Sequence, residues 1–174
     1  MMRRNVFLGI VTACIFIILY VIFLYDNHEM MEVSLIECID GDTAKFLFRG
    51  DSIKVRFLGI DTPENSLNYV DEFGVEATEY TCQKLKNAKH IYLQLDRNSD
   101  KYDKYKRMLA WVFVDDDNLN ELLVRDGYAM VRYVYDDYLY VDELCFSQEK
   151  AFTEKRGIWK FKRDEYSSNY CNKR

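Results

Sequence analysis

Alternating apolar and polar side chains predict a β-meander at the start of the globular part of the chain. Residues 33–39 are rich in β-branched and aliphatic side chains, the Asp-Gly pair at 40–41 is typical of a hairpin turn, and residues 43–48 alternate again. After a second turn, residues 53–57 alternate with a period of two, which places Arg56 on the face opposite the apolar side chains. We therefore do not expect Arg56 in the core.

The remainder of the chain predicts two further strands and three helices. The strands are expected at residues 90–95 and 109–114, and apolar positions with helical spacing occur at residues 72–85, 119–127 and 139–155. Strands that come first, with helices among and after them, indicate an α+β fold. In that fold we expect five short antiparallel strands to close into a small barrel.

The N-terminal 30 residues predict a membrane segment that precedes this fold. Residues 6–25 form an uncharged run long enough to cross a bilayer as a helix, and Arg3 and Arg4 come before it. By the positive-inside rule, the domain of residues 31–174 is then expected outside the cytoplasm. We favour an uncleaved anchor, because the run is longer than that of a secretory signal peptide. A cleaved signal, which would release the domain, and a lipoprotein with Cys14 in its lipidation motif are the alternatives.

Charge and composition limit what the domain can do. The formal net charge is −5, which disfavours sequence-independent binding of a polyanion by a basic surface. A nucleic-acid ligand would therefore need local positive groups or a metal ion. The two histidines stand apart in the sequence, and no Cys/His spacing suggests zinc. Cys145 and Cys171 are candidates for a disulfide between the C-terminal tail and a helix.

Acidic residues interrupt the strand pattern where strands end, at Asp40, Asp42, Asp61 and Glu64. The position of the second turn brings Asp42 opposite residues 57–59, so that Asp61 lies close to it. Convergent carboxylates repel each other unless they are protonated or hold a cation, and oxygen ligands select a hard ion such as Ca²⁺ or Mg²⁺. Ordinary turn chemistry is the alternative explanation of each segment alone. The strand register leaves open whether Arg56 reaches the same site.

Five segments, taken together in their order and spacing, closely resemble the staphylococcal nuclease (thermonuclease) family. They read DGDT at 40–43, VRFLGIDTPE at 55–64, FGVEA at 73–77, DKYKRMLA at 103–110 and LVRDGYA at 123–129. The resemblance covers residues 33–159 and implies a five-stranded OB-type barrel with three helices. It also implies calcium-dependent hydrolysis of phosphodiester bonds in DNA and RNA. We expect the chain to act as a monomer.

The resemblance further implies which residues form the metal site and activate water. Asp42 and Asp61 match the carboxylate ligands of Ca²⁺, and Thr62 matches the position whose backbone carbonyl is a third ligand. Glu64 matches the general base, which orients or deprotonates a water at the metal. Asp40 matches a nearby acidic position that is expected to support the ligands rather than to bind the ion directly.

Positions that hold the substrate are matched as well. Arg56 and Arg107 match the pair that clamps the scissile phosphate. Because hydrolysis adds negative charge to the phosphoryl oxygens, two planar guanidinium groups and a divalent ion stabilise the transition state more than the ground state. The positions lining the nucleotide pocket are matched by Lys104, Tyr105, Tyr133 and Tyr135, where an aromatic ring can stack on a base.

Two departures from the family pattern bear on activity. Lys106 occupies the position where the family motif has glycine, and the chain is acidic whereas the best-known member is basic. Weaker attraction of substrate is the expected consequence. A catalytically inactive OB-type module that only binds nucleic acid or protein is the alternative function. The presence of every matching acid and arginine argues for the enzyme.

Overall fold

The computed structural model describes residues 30–66, 69–166 and 170–172 of the 174-residue chain. The strands of this part, in chain order, are β1 (Met30–Cys38), β2 (Thr43–Phe48), β3 (Asp51–Phe57), β4 (Ile60–Asp61), β5 (Asn65–Ser66), β6 (Tyr69–Val70), β7 (Ile91–Gln94), β8 (Met108–Val114), β9 (Asp117–Asn118) and β10 (Met130–Val131). The helices are α1 (Gly74–Asn87), α2 (Leu119–Arg125), α3 (Val141–Thr153) and α4 (Arg163–Tyr166), with 3-10 turns at Gly157–Lys160 and Tyr170–Asn172.

Five of these strands form a closed barrel. Antiparallel pairing joins β3 to β2, β2 to β1, β1 to β7 and β7 to β8, and pairing of β3 with β8 closes the ring. The short strand β9 extends β8 as a hairpin. The predicted α+β fold, with its five-stranded barrel and three helices of more than one turn, is confirmed for the described residues.

The prediction that the barrel is antiparallel throughout was wrong at one position. The closing pair, β3 with β8, is parallel, with Val55 opposite Met108 and Phe57 opposite Ala110. The reason is geometric: strands that alternate in direction cannot alternate all the way around a ring with an odd number of members. A five-stranded barrel therefore needs at least one parallel pair, and the alternation of side chains does not reveal which one.

The core fills the barrel and continues between the barrel and the helices. Fully buried Phe46 and Trp111 come from the barrel, and Leu123 and Leu144 come from α2 and α3. The buried side chain of Asn120 links the two layers, because its Nδ2 donates to the Leu58 carbonyl at 2.8 Å and its Oδ1 accepts from the Val112 amide at 3.0 Å. These bonds fix the end of the barrel from which the chain runs into β4.

The C-terminal tail is tied to the barrel's helical layer. Cys145 in α3 and Cys171 form a disulfide, as the sequence suggested, whereas Cys38 and Cys82 are free. Among the helices that the structure describes, none has the length and apolar character required to cross a bilayer. The predicted membrane segment lies outside the described residues, since these begin at Met30.

Candidate active site

A cleft of about 650 Å³ opens at one end of the barrel. Of the eleven residues that the sequence singled out, ten line this cleft: Asp40, Asp42, Arg56, Asp61, Glu64, Lys104, Tyr105, Arg107, Tyr133 and Tyr135. The eleventh, Thr62, is buried and donates to a carboxylate of the cleft. Segments far apart in the sequence thus meet at a single site.

The hairpin between β1 and β2 carries the first two acids. Asp40 Oδ1 accepts from the Asp42 amide at 3.0 Å, which closes the turn. Gly41 is pressed against Thr62, and a Cβ at that position would lie 2.6 Å from Thr62 Oγ1. The Thr81 hydroxyl of α1 donates to the Gly41 carbonyl at 2.6 Å. A residue larger than glycine would therefore push the acidic turn away from its partners.

Arg56 lies at the centre of the acidic cluster, and the expectation that it stays out of the buried interior was wrong. It is only 8% exposed. Its Nη1 lies 2.9 Å from Asp42 Oδ2, and its Nη2 donates to Asp61 Oδ1 at 2.9 Å. Alternation places Arg56 correctly, opposite Val55 and Phe57. That opposite face is covered by the acidic segments instead of by solvent, so Arg56 is buried as well.

The strand register brings the two predicted metal ligands together. Thr43 pairs with Arg56, and the Phe57 amide donates to the Asp42 carbonyl at 2.8 Å, so that Asp42 stands opposite Phe57 as predicted. Asp42 Oδ2 also accepts from the Thr62 amide at 3.0 Å and from its hydroxyl at 3.2 Å. Asp42 is thereby held rigidly beside the segment that carries Asp61.

The acidic side chains of this cluster are poorly solvated. Burial raises the pKa of Asp61 to about 6, because the loss of water outweighs the lowering effect of Arg56, and the charge of Asp42 adds to the rise. Burial and the charge of Asp42 likewise raise the pKa of Asp40 to about 6. A divalent ion held by oxygen ligands would compensate these charges, so the donor set fits Ca²⁺. Within the described ranges, no group of three or more His, Cys, Asp or Glu side chains is arranged to hold a metal ion. The candidate ligands are two carboxylates and a backbone carbonyl.

Glu64 stands at the rim of the cleft with an exposed side chain. Its backbone is fixed from two sides, since its amide donates to Asp71 Oδ2 at 3.1 Å and its carbonyl accepts from the Asp71 amide at 2.8 Å. At Gly74, where α1 begins, a Cβ would collide with the Glu64 carbonyl oxygen. The chain thus combines a fixed backbone with a carboxylate that remains open to water.

Arg107 is aimed into the cleft by Asp103. Asp103 Oδ2 accepts from Arg107 Nε at 2.7 Å, and Asp103 Oδ1 accepts from the Arg107 amide at 2.9 Å. Burial alone would raise the pKa of Asp103, but the hydrogen bonds from Arg107 lower it overall. Lys106 adopts a left-handed backbone with φ of 62°, the conformation that a glycine at this position would adopt without strain. Lysine in place of the glycine of the family motif therefore leaves the turn before Arg107 in place.

The predicted substrate-binding residues form an exposed aromatic rim. Tyr105 is 67% exposed and Tyr135 is 82% exposed, so neither ring is required by the core. The ammonium of Lys104 lies 5.0 Å from the Tyr105 ring centre. Tyr133 has φ of 58°, which is uncommon for a bulky residue, and its ring centre is 5.8 Å from the Arg56 guanidinium.

Two charged residues that contact predicted site residues were not themselves singled out from the sequence. Arg132 Nη1 contacts Asp61 Oδ2 at 3.3 Å, although its only sequence signal is a charge directly before Tyr133. Asp103 was part of a matching segment without an assigned role. An aspartate placed before a turn and four residues ahead of an arginine indicates a residue that positions the arginine. Such a side chain can accept hydrogen bonds from both the turn and the arginine.

Known proteins resemble this chain over most of its length. Residues 54–161 match the family model described as staphylococcal nuclease homologue. The chain is 37% identical over 134 residues to the SPbeta prophage-derived endonuclease YokF of Bacillus subtilis, covering 75% of this chain and 45% of that protein. It is 35% identical over 137 residues to endonuclease YncB of the same organism, covering 77% and 64%.

The alignments thus span less than two thirds of the length of either endonuclease. A thermonuclease of Staphylococcus hyicus is 30% identical over 135 residues, which cover 76% of this chain and 78% of that protein. The family match extends from β3, which carries Arg56, to the segment after α3. It includes the cleft residues from Arg56 onward, whereas the hairpin with Asp40 and Asp42 precedes it. The chain belongs to the staphylococcal nuclease family.

Proposed function

We propose that this chain is a calcium-dependent nuclease that hydrolyses phosphodiester bonds of DNA and RNA. The observation that carries the proposal is the convergence, in one cleft, of one buried and one half-buried aspartate, one exposed glutamate and two arginines. The names of the related endonucleases and thermonuclease are consistent with it.

Asp42 and Asp61 would hold the Ca²⁺ through their carboxylates, together with the backbone carbonyl of Thr62. Bound Ca²⁺ would supply positive charge that stabilises the additional negative charge of the phosphoryl group during attack. The protein restricts the position of these donors through the Arg56 and Thr62 contacts to Asp42. A small number of protein ligands leaves room for substrate oxygens.

Glu64 and the arginines would carry the chemical step. Glu64, exposed at the rim, accepts a proton from the attacking water, whose oxygen bonds to phosphorus while the bond to the leaving sugar oxygen breaks. The leaving oxygen takes up a proton from solvent water. Arg56 and Arg107 donate hydrogen bonds to the phosphoryl oxygens as their negative charge grows. Asp103 acts indirectly, by holding the Arg107 guanidinium.

The aromatic rim would hold the rest of the nucleotide. Exposed rings of Tyr105, Tyr133 and Tyr135 offer stacking surfaces that accept any base, in keeping with a substrate range that includes DNA and RNA. Lys104 adds a positive charge beside Tyr105. The competing function, an inactive binding module, has no need for a repulsive acidic cluster or for a glutamate exposed to water beside it.

The test is a nuclease assay of the full chain, kept in solution with a non-ionic detergent, in the presence of Ca²⁺, Mg²⁺ or excess chelator. We expect cleavage of single-stranded DNA and of RNA with Ca²⁺ and none with chelator. Glu64→Gln should reduce turnover by at least a hundredfold, the scale of general-base catalysis. Glu79→Gln, which changes an exposed acid of α1 outside the cleft, is the matched control and should retain activity. Cleavage that persists in excess chelator would contradict the metal site.

We also infer that residues 6–25 anchor the chain in a membrane with the domain outside the cytoplasm, where Ca²⁺ is abundant. The support is the uncharged run preceded by two arginines. The intact chain should fractionate with membranes, and protease added to intact cells should digest the domain. Recovery in the soluble cytoplasmic fraction would contradict the anchor.

A single chain supplies every residue of the cleft, so we infer a monomer, which size-exclusion chromatography tests.

A further inference from the structure

A second cavity, of about 180 Å³, adjoins the cleft across the segment that carries Tyr133 and Tyr135. Its walls include those two tyrosines together with Arg132, Glu165 and Tyr170. Because Tyr133 and Tyr135 line the cleft as well, the two spaces share a wall. A ligand that occupies the cleft and extends beyond it would reach this cavity next.

Arg132 gives the second cavity a positive group that the core does not need. Its side chain is 51% exposed, and it contacts Asp61 Oδ2 at 3.3 Å and Glu165 Oε2 at 3.8 Å. Ion pairs this exposed contribute about 0–1 kcal/mol, so a phosphate group can displace one of them at little cost. A planar guanidinium is well suited to such a phosphate.

Tyr133 stands between the two spaces. Its ring centre is 5.8 Å from the guanidinium of Arg56 in the cleft and 5.8 Å from that of Arg132 in the second cavity. Its left-handed backbone is costly for a bulky side chain, and strain of this kind clusters at functional sites. The ring thus lies near both arginines, which contact the two carboxylate oxygens of Asp61 and stand where neighbouring phosphates of one strand would meet them.

The C-terminal disulfide builds the far wall. Tyr170 precedes Cys171, which is bonded to Cys145 of α3. The bond holds Tyr170 at the cavity, which Tyr135 lines as well. Arginine and several tyrosines around a small cavity are the combination that binds a base by stacking and a phosphate by charge.

We propose that the second cavity binds a further nucleotide of the same strand, adjacent to the nucleotide held in the cleft. The proposal rests on the proposed function and makes its preferred substrate an extended polynucleotide strand, rather than a dinucleotide or a mononucleotide ester. Arg132 contacts the additional phosphate, and Tyr170 stacks on the additional base.

Binding of oligonucleotides of two lengths tests this subsite without requiring cleavage. The full chain in detergent is titrated, in chelator, into fluorescein-labelled single-stranded hexanucleotide or dinucleotide DNA, and fluorescence anisotropy gives Kd. We expect Tyr170→Ala to weaken hexanucleotide binding about tenfold, within the range for the loss of one base–aromatic stack, and to weaken dinucleotide binding by less. Tyr170→Phe keeps the ring and should restore hexanucleotide binding.

Phe146→Ala is the matched control, because Phe146 is an aromatic residue of α3 beside Cys145 that is 72% exposed and does not line the cavity. It should leave both Kd values unchanged. Thermal unfolding and a thiol assay show whether Tyr170→Ala keeps its fold and disulfide. If it does not, Arg132→Gln provides the independent measurement. That variant should reduce the slope of log Kd against log salt by about 0.7, the value for one phosphate contact to a single strand.

Equal effects of Tyr170→Ala and Phe146→Ala, equal loss for both lengths, or an unchanged salt slope for Arg132→Gln would each overturn the subsite. The outcome is separable from that of the proposed function. Length-dependent binding without calcium-dependent cleavage would refute the nuclease and leave the subsite in place. Calcium-dependent cleavage together with binding that does not depend on Tyr170 or Arg132 would support the nuclease and refute the subsite.

Discussion

Replacing Arg56 with methionine removes the positive charge from the most enclosed part of the cleft while nearly preserving side-chain length. In the native protein, Nη1 lies 2.9 Å from Asp42 Oδ2 and donates to the Ile60 carbonyl at 2.9 Å, and Nη2 donates to Asp61 Oδ1 at 2.9 Å. The variant leaves two carboxylates without this partner and removes a donor from two backbone carbonyls, those of Phe57 and Ile60.

The loss in free energy of unfolding that we expect for Arg56→Met follows from the burial of the ion pair. Arg56 is 8% exposed and Asp42 is 5% exposed, so water cannot replace the lost contacts. Breaking a buried ion pair by removing one partner costs about 3–5 kcal/mol, mostly because the remaining charge stays buried. Arg132 contacts the same Asp61 but is 51% exposed, so Arg132→Met should cost less than about 1 kcal/mol.

Urea unfolding in chelator, followed by tryptophan fluorescence, measures both variants. Trp111 and Trp159 are fully buried and therefore report on the fold. Adding Asp42→Asn to Arg56→Met should recover about 1 kcal/mol or more, because it neutralises a charge that the first change left unpaired. A loss below 1 kcal/mol for Arg56→Met, or no recovery in the double variant, would refute the argument that burial sets the cost.

Three further predictions concern the segment that carries Arg107. Arg107→Lys keeps the charge but loses the two-pronged geometry, so kcat should fall far more than KM rises; equal small changes would indicate a surface charge. Lys106→Gly should raise the free energy of unfolding by about 1 kcal/mol because φ is 62°, whereas Lys104→Gly, at a position without positive φ, should lower it. The folded-state pKa of Asp103 is lowered, so its stabilising effect is present above the unfolded pKa of about 3.9 and is lost as pH falls. Asp103→Asn should therefore destabilise the protein more at pH 7 than at pH 3, and equal destabilisation would contradict the Arg107 contacts.

Local patterns in the sequence were sufficient to position the barrel strands and the three longer helices, but not the two-residue strands or α4. Strand β2 has the predicted bounds, and β8 and α2 differ from the predictions by one or two residues. Such elements are governed by the period of apolar side chains, which short stretches of sequence carry completely. The hairpin register could be predicted for the same reason, because the turn length between β2 and β3 fixes which residue faces Asp42.

That the site residues meet in one cleft could be predicted because their chemical types and spacing matched a family motif. The burial and backbone conformation of individual residues around the cleft could not be predicted from the sequence. Arg56 was placed on the correct face, yet its burial depends on the Asp42 and Asp61 segments that fold over it. The position of Lys106 in the motif was evident, but only the backbone shows that it accepts a glycine-like conformation.

The sequence by itself determined where the five barrel strands and the three longer helices lie, which acids and arginines match a family motif, and which cysteines could bridge the tail. Tertiary structure alone decided that β3 and β8 close the barrel in parallel, that Arg132 contacts Asp61, and that the disulfide brings Tyr170 to a second cavity. The physical reason is range: periodicity and turn chemistry act over a few residues, whereas these contacts join segments tens of residues apart, whose meeting depends on how all the layers pack.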